Sequence, residues 1–110
     1  NMANVKLIIQ YPHPLDVYAF DHSYKEEHIP LVTEKLDGKT KMVTTTALPN
    51  AHHILPAYHR TSEIYFPSMD ALLASTQSDA GKEILAHAAK ISTGGAPNFI
   101  IAEEEEVIEF

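Results

Sequence analysis

Four short β-rich segments separated by only two helical stretches constrain this chain more than any other feature. The segment 4–11, NVKLIIQY, is dense in β-branched and aliphatic residues and stops at Pro12-His13-Pro14, which predicts a strand. Val5, Leu7, Ile9 and Tyr11 would share one face, and Lys6, Ile8 and Gln10 the other. Further strands are expected over 41–48, rich in threonine, over 58–66, with an amphipathic alternation, and over 98–103. The segment 12–20 holds two prolines and reads as a loop. From Asp21, a candidate N-cap, to Leu36, apolar residues recur at helical spacing, and Asp37-Gly38 ends the pattern. A second helix is expected behind the cap Ser68, restarting at Asp79 and running to about Ile91, where the turn STGGAP breaks it.

This order, β-α-β-β-α-β, predicts an α+β, ferredoxin-like fold: an antiparallel four-stranded sheet with both helices on one face. No helix is left for the other face, whose apolar residues predict a homodimer. A chain of 110 residues makes one domain over 1–110, with a core of about 4–104 and a C-terminal tail of 105–110.

Composition excludes several classes. Without cysteine there are no disulfides, thiolate metal sites or cysteine nucleophiles. A net charge of −7 argues against nucleic acid, and the acidic run Glu103–Glu106 reads as a solvated face. No apolar run is long enough to span a membrane, and the N-terminus lacks a signal-peptide pattern, which predicts a cytoplasmic location.

Tyr24 and His28 carry the most chemistry. Their spacing puts them on one stripe with Phe20, Leu31 or Val32, and Lys35. Pro30 lacks an N–H and its ring crowds the carbonyl of Glu26, so a kink or split is expected near 28–30. That kink would aim His28 into a pocket between helix and sheet, where an imidazole shuttles protons near neutral pH. Tyr24 or Tyr11 would orient a substrate oxygen. In the third strand, alternation places His59, Thr61, Glu63 and Tyr65 on one face and Tyr58, Arg60, Ser62, Ile64 and Phe66 on the other; Tyr58 and Ser62 are the pocket candidates. The competing reading makes Tyr24 and His28 packed core residues and the strand row a set of structural hydrogen bonds. His52 and His53 are neighbours in an exposed loop and point apart, and no metal-binding helix motif is present, so no metal site is expected. Nothing in the pattern calls for a cofactor, although one histidine would suffice as a proximal haem ligand.

The segment F20-x-x-x-Y24-x-x-x-H28-x-P30-L31, after a first strand ending Tyr11-Pro12, resembles the EthD family, named for ethyl tert-butyl ether degradation. Tyr65-Phe66 before Ser68-Met69-Asp70-Ala71-Leu72, the restart at 78–82 and Thr93-Gly94-Gly95 extend the resemblance over about 4–104. Many relatives carry an Asp in the second half of the second helix, where this chain has Ala86-His87-Ala88. The resemblance implies a dimeric α+β barrel in a group of cofactor-free monooxygenases, cyclases, dehydratases and some haem-binding enzymes. The expected function is binding of a small hydrophobic, oxygen-bearing molecule, as an accessory of ether or xenobiotic degradation. The alternatives are a small lyase, dehydratase or cofactor-free oxygenase using His28, and an interaction module whose pocket is a collapsed core.

Overall fold

A computed structural model describes residues 4–110; residues 1–3, which the expected single domain includes, lie outside it. The elements are β1 (Asn4–Pro12), α1 (Val17–Ser23), a π turn (Tyr24–His28), α2 (Ile29–Lys35), β2 (Lys41–Thr46), β3 (Tyr58–Phe66), α3 (Met69–Thr76), α4 (Asp79–Ile91) and β4 (Asn98–Glu104). The strands form one sheet in the order β2-β3-β1-β4, every neighbouring pair antiparallel. The expected four-stranded antiparallel architecture is therefore present. On β1, Val5, Leu7, Ile9 and Tyr11 are buried, and they join Phe20, Tyr24, Val32, Leu72, Ile84 and Ala88 in one core. The helices thus cover one face of the sheet.

The first helix starts earlier than its prolines suggest. Asp16, not Asp21, is the N-cap: its carboxylate accepts from the Ala19 N–H at 3.0 Å, and α1 begins inside the segment expected to be a loop. An aspartate satisfies an orphan amide at a helix start whatever prolines precede it. Nor does Pro30 split the helix. The turn before it widens, with the Ile29 N–H bonding the Tyr24 carbonyl five residues back, and Pro30 sits in the first turn of α2. The wide turn relieves the clash that a proline ring makes with the carbonyl one turn earlier. The inward stripe is Phe20, Tyr24, His28, Val32 and Leu36; Lys35 is exposed, with Nζ 3.2 Å from Glu83.

Ser68 and Ser78 cap α3 and α4, accepting from Ala71 N and Gly81 N. Gly81 is needed where the two helices meet, because a Cβ there would lie 2.1 Å from the Ser75 carbonyl oxygen. The uncovered sheet face carries Ile8 beside a charged row: Lys6 Nζ lies 2.6 Å from Glu63 and 3.3 Å from Glu104, and Tyr65 Oη donates to Glu104 at 2.8 Å. Edge strand β4 exposes Phe99, Ile100 and Ile101, and the tail 105–110 exposes Val107, Ile108 and Phe110. Among the described residues no helix is long and apolar enough to cross a membrane.

Candidate functional site

The inward stripe of the first helix meets β1 and β3 in a group of aromatic rings. Tyr24 lies between Phe20 and His28, with centroids at 5.9 Å and 5.6 Å and ring planes within about 30° of parallel. Tyr11, from β1, stands edge-on to all three at 5.1 to 6.3 Å. Tyr11, Tyr24, His28 and Ser62 have no exposed surface. Polar atoms buried so completely must find partners, and these do. Tyr24 Oη bonds Ser62 Oγ; Tyr11 Oη is 3.3 Å from His28 Nε2; His28 Nδ1 is 2.9 Å from His87 Nδ1 on α4. Beyond it, His87 Nε2 lies 3.4 Å from Glu27 Oε1.

The hydrogen positions follow from this chain of neighbours. The Glu27 carboxylate, an ion-pair contact at 3.4 Å rather than a hydrogen bond, favours the His87 tautomer with its proton on Nε2; in that neutral ring Nδ1 is bare. His28 Nδ1–H then donates to it, and the bare Nε2 of His28 accepts from the Tyr11 hydroxyl. Burial, with the neighbouring His87 acting in the same sense, lowers the His28 pKa to about 4, so the ring is neutral at pH 7. Burial likewise raises the Tyr11 phenol above its ordinary value, with Tyr24 adding to the effect.

A second polar cluster adjoins the first. The guanidinium of Arg60 lies 4.4 Å from the Tyr24 ring centroid, a cation–π contact. It donates to Asp21 Oδ1 at 3.1 Å and Thr44 Oγ1 at 3.1 Å, while its buried Nε has no partner among the described residues. His59 Nε2–H donates to the same Asp21 oxygen at 2.9 Å. Burial would raise the Asp21 carboxyl, but the hydrogen bonds from His59 and Arg60 outweigh it and hold it below the usual range. Strict alternation put His59 and Arg60 on opposite faces, and the structure corrects this. Register shifts at the end of β1, where Tyr11 opposes Arg60 but Pro12 opposes Tyr58, so His59 is the extra residue of a bulge. A bulge turns consecutive side chains to the same side, and both reach Asp21.

Of the residues singled out from the sequence, His28, Tyr24, Tyr11 and Ser62 come together. Tyr58 does not: past the bulge, its hydroxyl accepts from Asn98 Nδ2 on β4. His13 meets His59 edge-on at 5.7 Å, and His52 and His53 are exposed. Among the described residues no three histidines or acids are placed to hold a metal ion. Sequence reasoning missed His87, Glu27, Arg60 and Asp21 as site residues. The signal for His87 was its segment, Ala86-His87-Ala88, which stands where many relatives of the resembled family carry an Asp. A groove of about 380 Å³ adjoins the site, its walls including Leu15, Phe20, Ser23, Glu27, Lys90 and Ile91.

The family model for the EthD domain matches residues 12–94. An EthD family protein from Bacillus halodurans C-125 has a similar structure, with a TM-score of 0.83, 31% identity and coverage of 92% of this chain and 98% of that one. Two more distant structures share the fold. One is a dimeric ferredoxin-like protein of unknown function from Bacteroides fragilis, with TM-score 0.63, 14% identity and coverage of 92% and 96%. The other is the hydroxynitrile lyase from Passiflora edulis, with TM-score 0.74, 13% identity and coverage of 99% and 100%.

Proposed function

The chain belongs to the EthD family, and on that premise we propose that it binds a small hydrophobic, oxygen-bearing molecule between the first helix and the sheet and moves a proton at His28. The observation that carries this reading is a fully buried imidazole, neutral at pH 7 and directed by Nε2 at a buried phenol. A neutral imidazole is a competent general base. In this reading His28 takes or returns the proton, Tyr11 and Tyr24 hold the substrate oxygen, and Ser62 fixes Tyr24. The rings fill the space between the first helix and the sheet, so in this reading a ligand enters by parting the first helix from the sheet beside the Phe20 groove. The occurrence of the fold in a hydroxynitrile lyase supports acid–base chemistry in such a scaffold.

We assign the uncovered sheet face to a second copy of the chain. The apolar residues exposed on β4 and in the tail support this, as does the dimeric relative from B. fragilis. One observation favours a second, non-catalytic reading, a carrier within a degradation system: the complete enclosure of His28.

A thermal-shift screen of small ketones, aldehydes, phenols and ethers tests the proposal. A ligand at 100 times its Kd raises stability by about 2.7 kcal/mol. The expected result is a ligand whose binding or turnover His28→Gln abolishes. Turnover unaffected by His28→Gln rejects the catalytic role; binding unaffected as well rejects the site.

A further inference from the structure

Tyr11, His28, His87 and Glu27 come from three separate elements, yet their polar atoms form one line from the centre of the core to the surface. The steps are 3.3 Å, 2.9 Å and 3.4 Å. Side-chain exposure is nil at Tyr11 and His28, 18% at His87 and 57% at Glu27. The two imidazoles are parallel within 8°, and their centroids are 5.1 Å apart. With nitrogens 2.9 Å apart, that separation is close to the N–N distance plus two ring radii. The rings therefore lie edge to edge in nearly one plane, as a direct N–H···N bond requires. The two hydrogen-bonded links share one consistent polarity, and the carboxylate contact at 3.4 Å favours it. The opposite polarity would set a bare lone pair of His87 against the Glu27 carboxylate.

We propose that His87 and Glu27 form the outward proton path of His28, connecting a buried site to solvent. The inference rests on the reading of His28 as the proton-transfer group. A proton taken from the ligand oxygen forms an N–H bond at His28 Nε2, while the Nδ1–H of His28 passes to His87 Nδ1. The Nε2–H of His87 leaves for the Glu27 carboxylate, which exchanges with water. One proton enters and one leaves, both imidazoles end neutral in the alternate tautomer, and no oxidant or reductant is needed. The return of a proton along the same line restores the starting tautomers. The arrangement suits a substrate whose hydroxyl or acidic C–H must be deprotonated in an apolar cavity, because the path removes positive charge from a place that cannot solvate it. His87 and Glu27 act through His28 and are positioning residues.

Long-range nitrogen–proton NMR of the imidazoles at pH 7 tests the polarity without a substrate. The expected pattern is a protonated Nδ1 and bare Nε2 in His28, with a protonated Nε2 and bare Nδ1 in His87. A protonated Nε2 in neutral His28 overturns the path. The second test is solvent exchange of the proton shared by Tyr11 and His28. In His87→Phe, which fills the space without nitrogens, exchange should slow by about tenfold or more, since positioned proton-transfer groups contribute roughly 10²–10⁴-fold. Should that variant misfold, Glu27→Gln, an exposed substitution, should shift the His28 tautomer balance and slow the same exchange. Unchanged exchange and tautomers overturn the proposal. The outcomes are separable. Expected tautomers with no ligand in any screen reject the binding reading and leave the path. A bound and processed ligand whose turnover ignores both variants rejects the path and leaves the site.

Discussion

Stability should fall between pH 6.5 and 4, and His28 should contribute a share of that fall that a variant isolates. In the unfolded chain this imidazole binds a proton from about pH 6.5 downward, whereas in the folded chain burial delays protonation to about pH 4. Between those values the unfolded state holds more protons, so unfolding free energy rises with pH and is lost as acid is added. The loss is nil above the window and complete below it. At about 1.4 kcal/mol per pH unit, it reaches roughly 3 kcal/mol at pH 4, a large share of the total for a domain this size. Asp21 acts in a different window. Its folded pKa lies below 3.8, so its stabilisation is present above that value and is lost only as pH falls further. The assay is urea denaturation at half-unit steps from pH 4 to 7.5 on the wild type and His28→Gln. Other titrating groups contribute to both curves and cancel in the difference. The variant should lie below the wild type at pH 7, having lost a packed ring, and the gap should narrow by roughly 3 kcal/mol toward pH 4. Parallel curves across the window would refute a buried, neutral His28.

Other parts of the molecule carry expectations of their own. Light scattering should give twice the 12.2 kDa chain mass, and a monomeric mass at micromolar concentration would reject pairing through the open sheet face. Removing residues 105–110 should lower the melting temperature of that dimer, and an unchanged value would show the exposed Val107, Ile108 and Phe110 to be idle. Asp16→Ala should cost about 1 kcal/mol in chemical denaturation by removing the cap of α1; no loss would move the helix start elsewhere. Arg60→Met should cost about 2 kcal/mol or more by leaving Asp21 with one fewer donor, whereas a neutral result would make the cluster decorative.

The parts of the fold legible in the sequence were those set by period and caps. β3 has the bounds its alternation predicts, Ser68 caps α3, and the β1 faces fall as the pattern of two requires. Two of the misreadings share a cause: one extra residue, which local patterns do not reveal. The bulge at His59 turned the end of β3 over and took Tyr58 from the site. The π turn has a fainter signature, a stripe spaced strictly by four. In a regular helix each such step overshoots a turn by about 40°, so Phe20, Tyr24, His28, Val32 and Leu36 cannot all face one way. Their shared burial requires the underwound turn that the structure contains. His87 was illegible for another reason: its partner is 59 residues away, and no local periodicity encodes a meeting of two helices.

In the terms of chain alignment, the π turn is a single inserted residue that the helix stores without changing the phase of α2. Deleting exposed Glu26 would give back ordinary α turns, leaving Phe20 and Val32 on the same side as before. It would also drive the Pro30 ring into the carbonyl one turn back, costing roughly 3 kcal/mol. The insertion and the proline are therefore compensating irregularities. A chain that lost both, by deletion of Glu26 and Pro30→Ala, should regain an unbroken helix with the same inward residues. A chain that lost only the inserted residue should not, so the two changes are viable together, or in the order proline first.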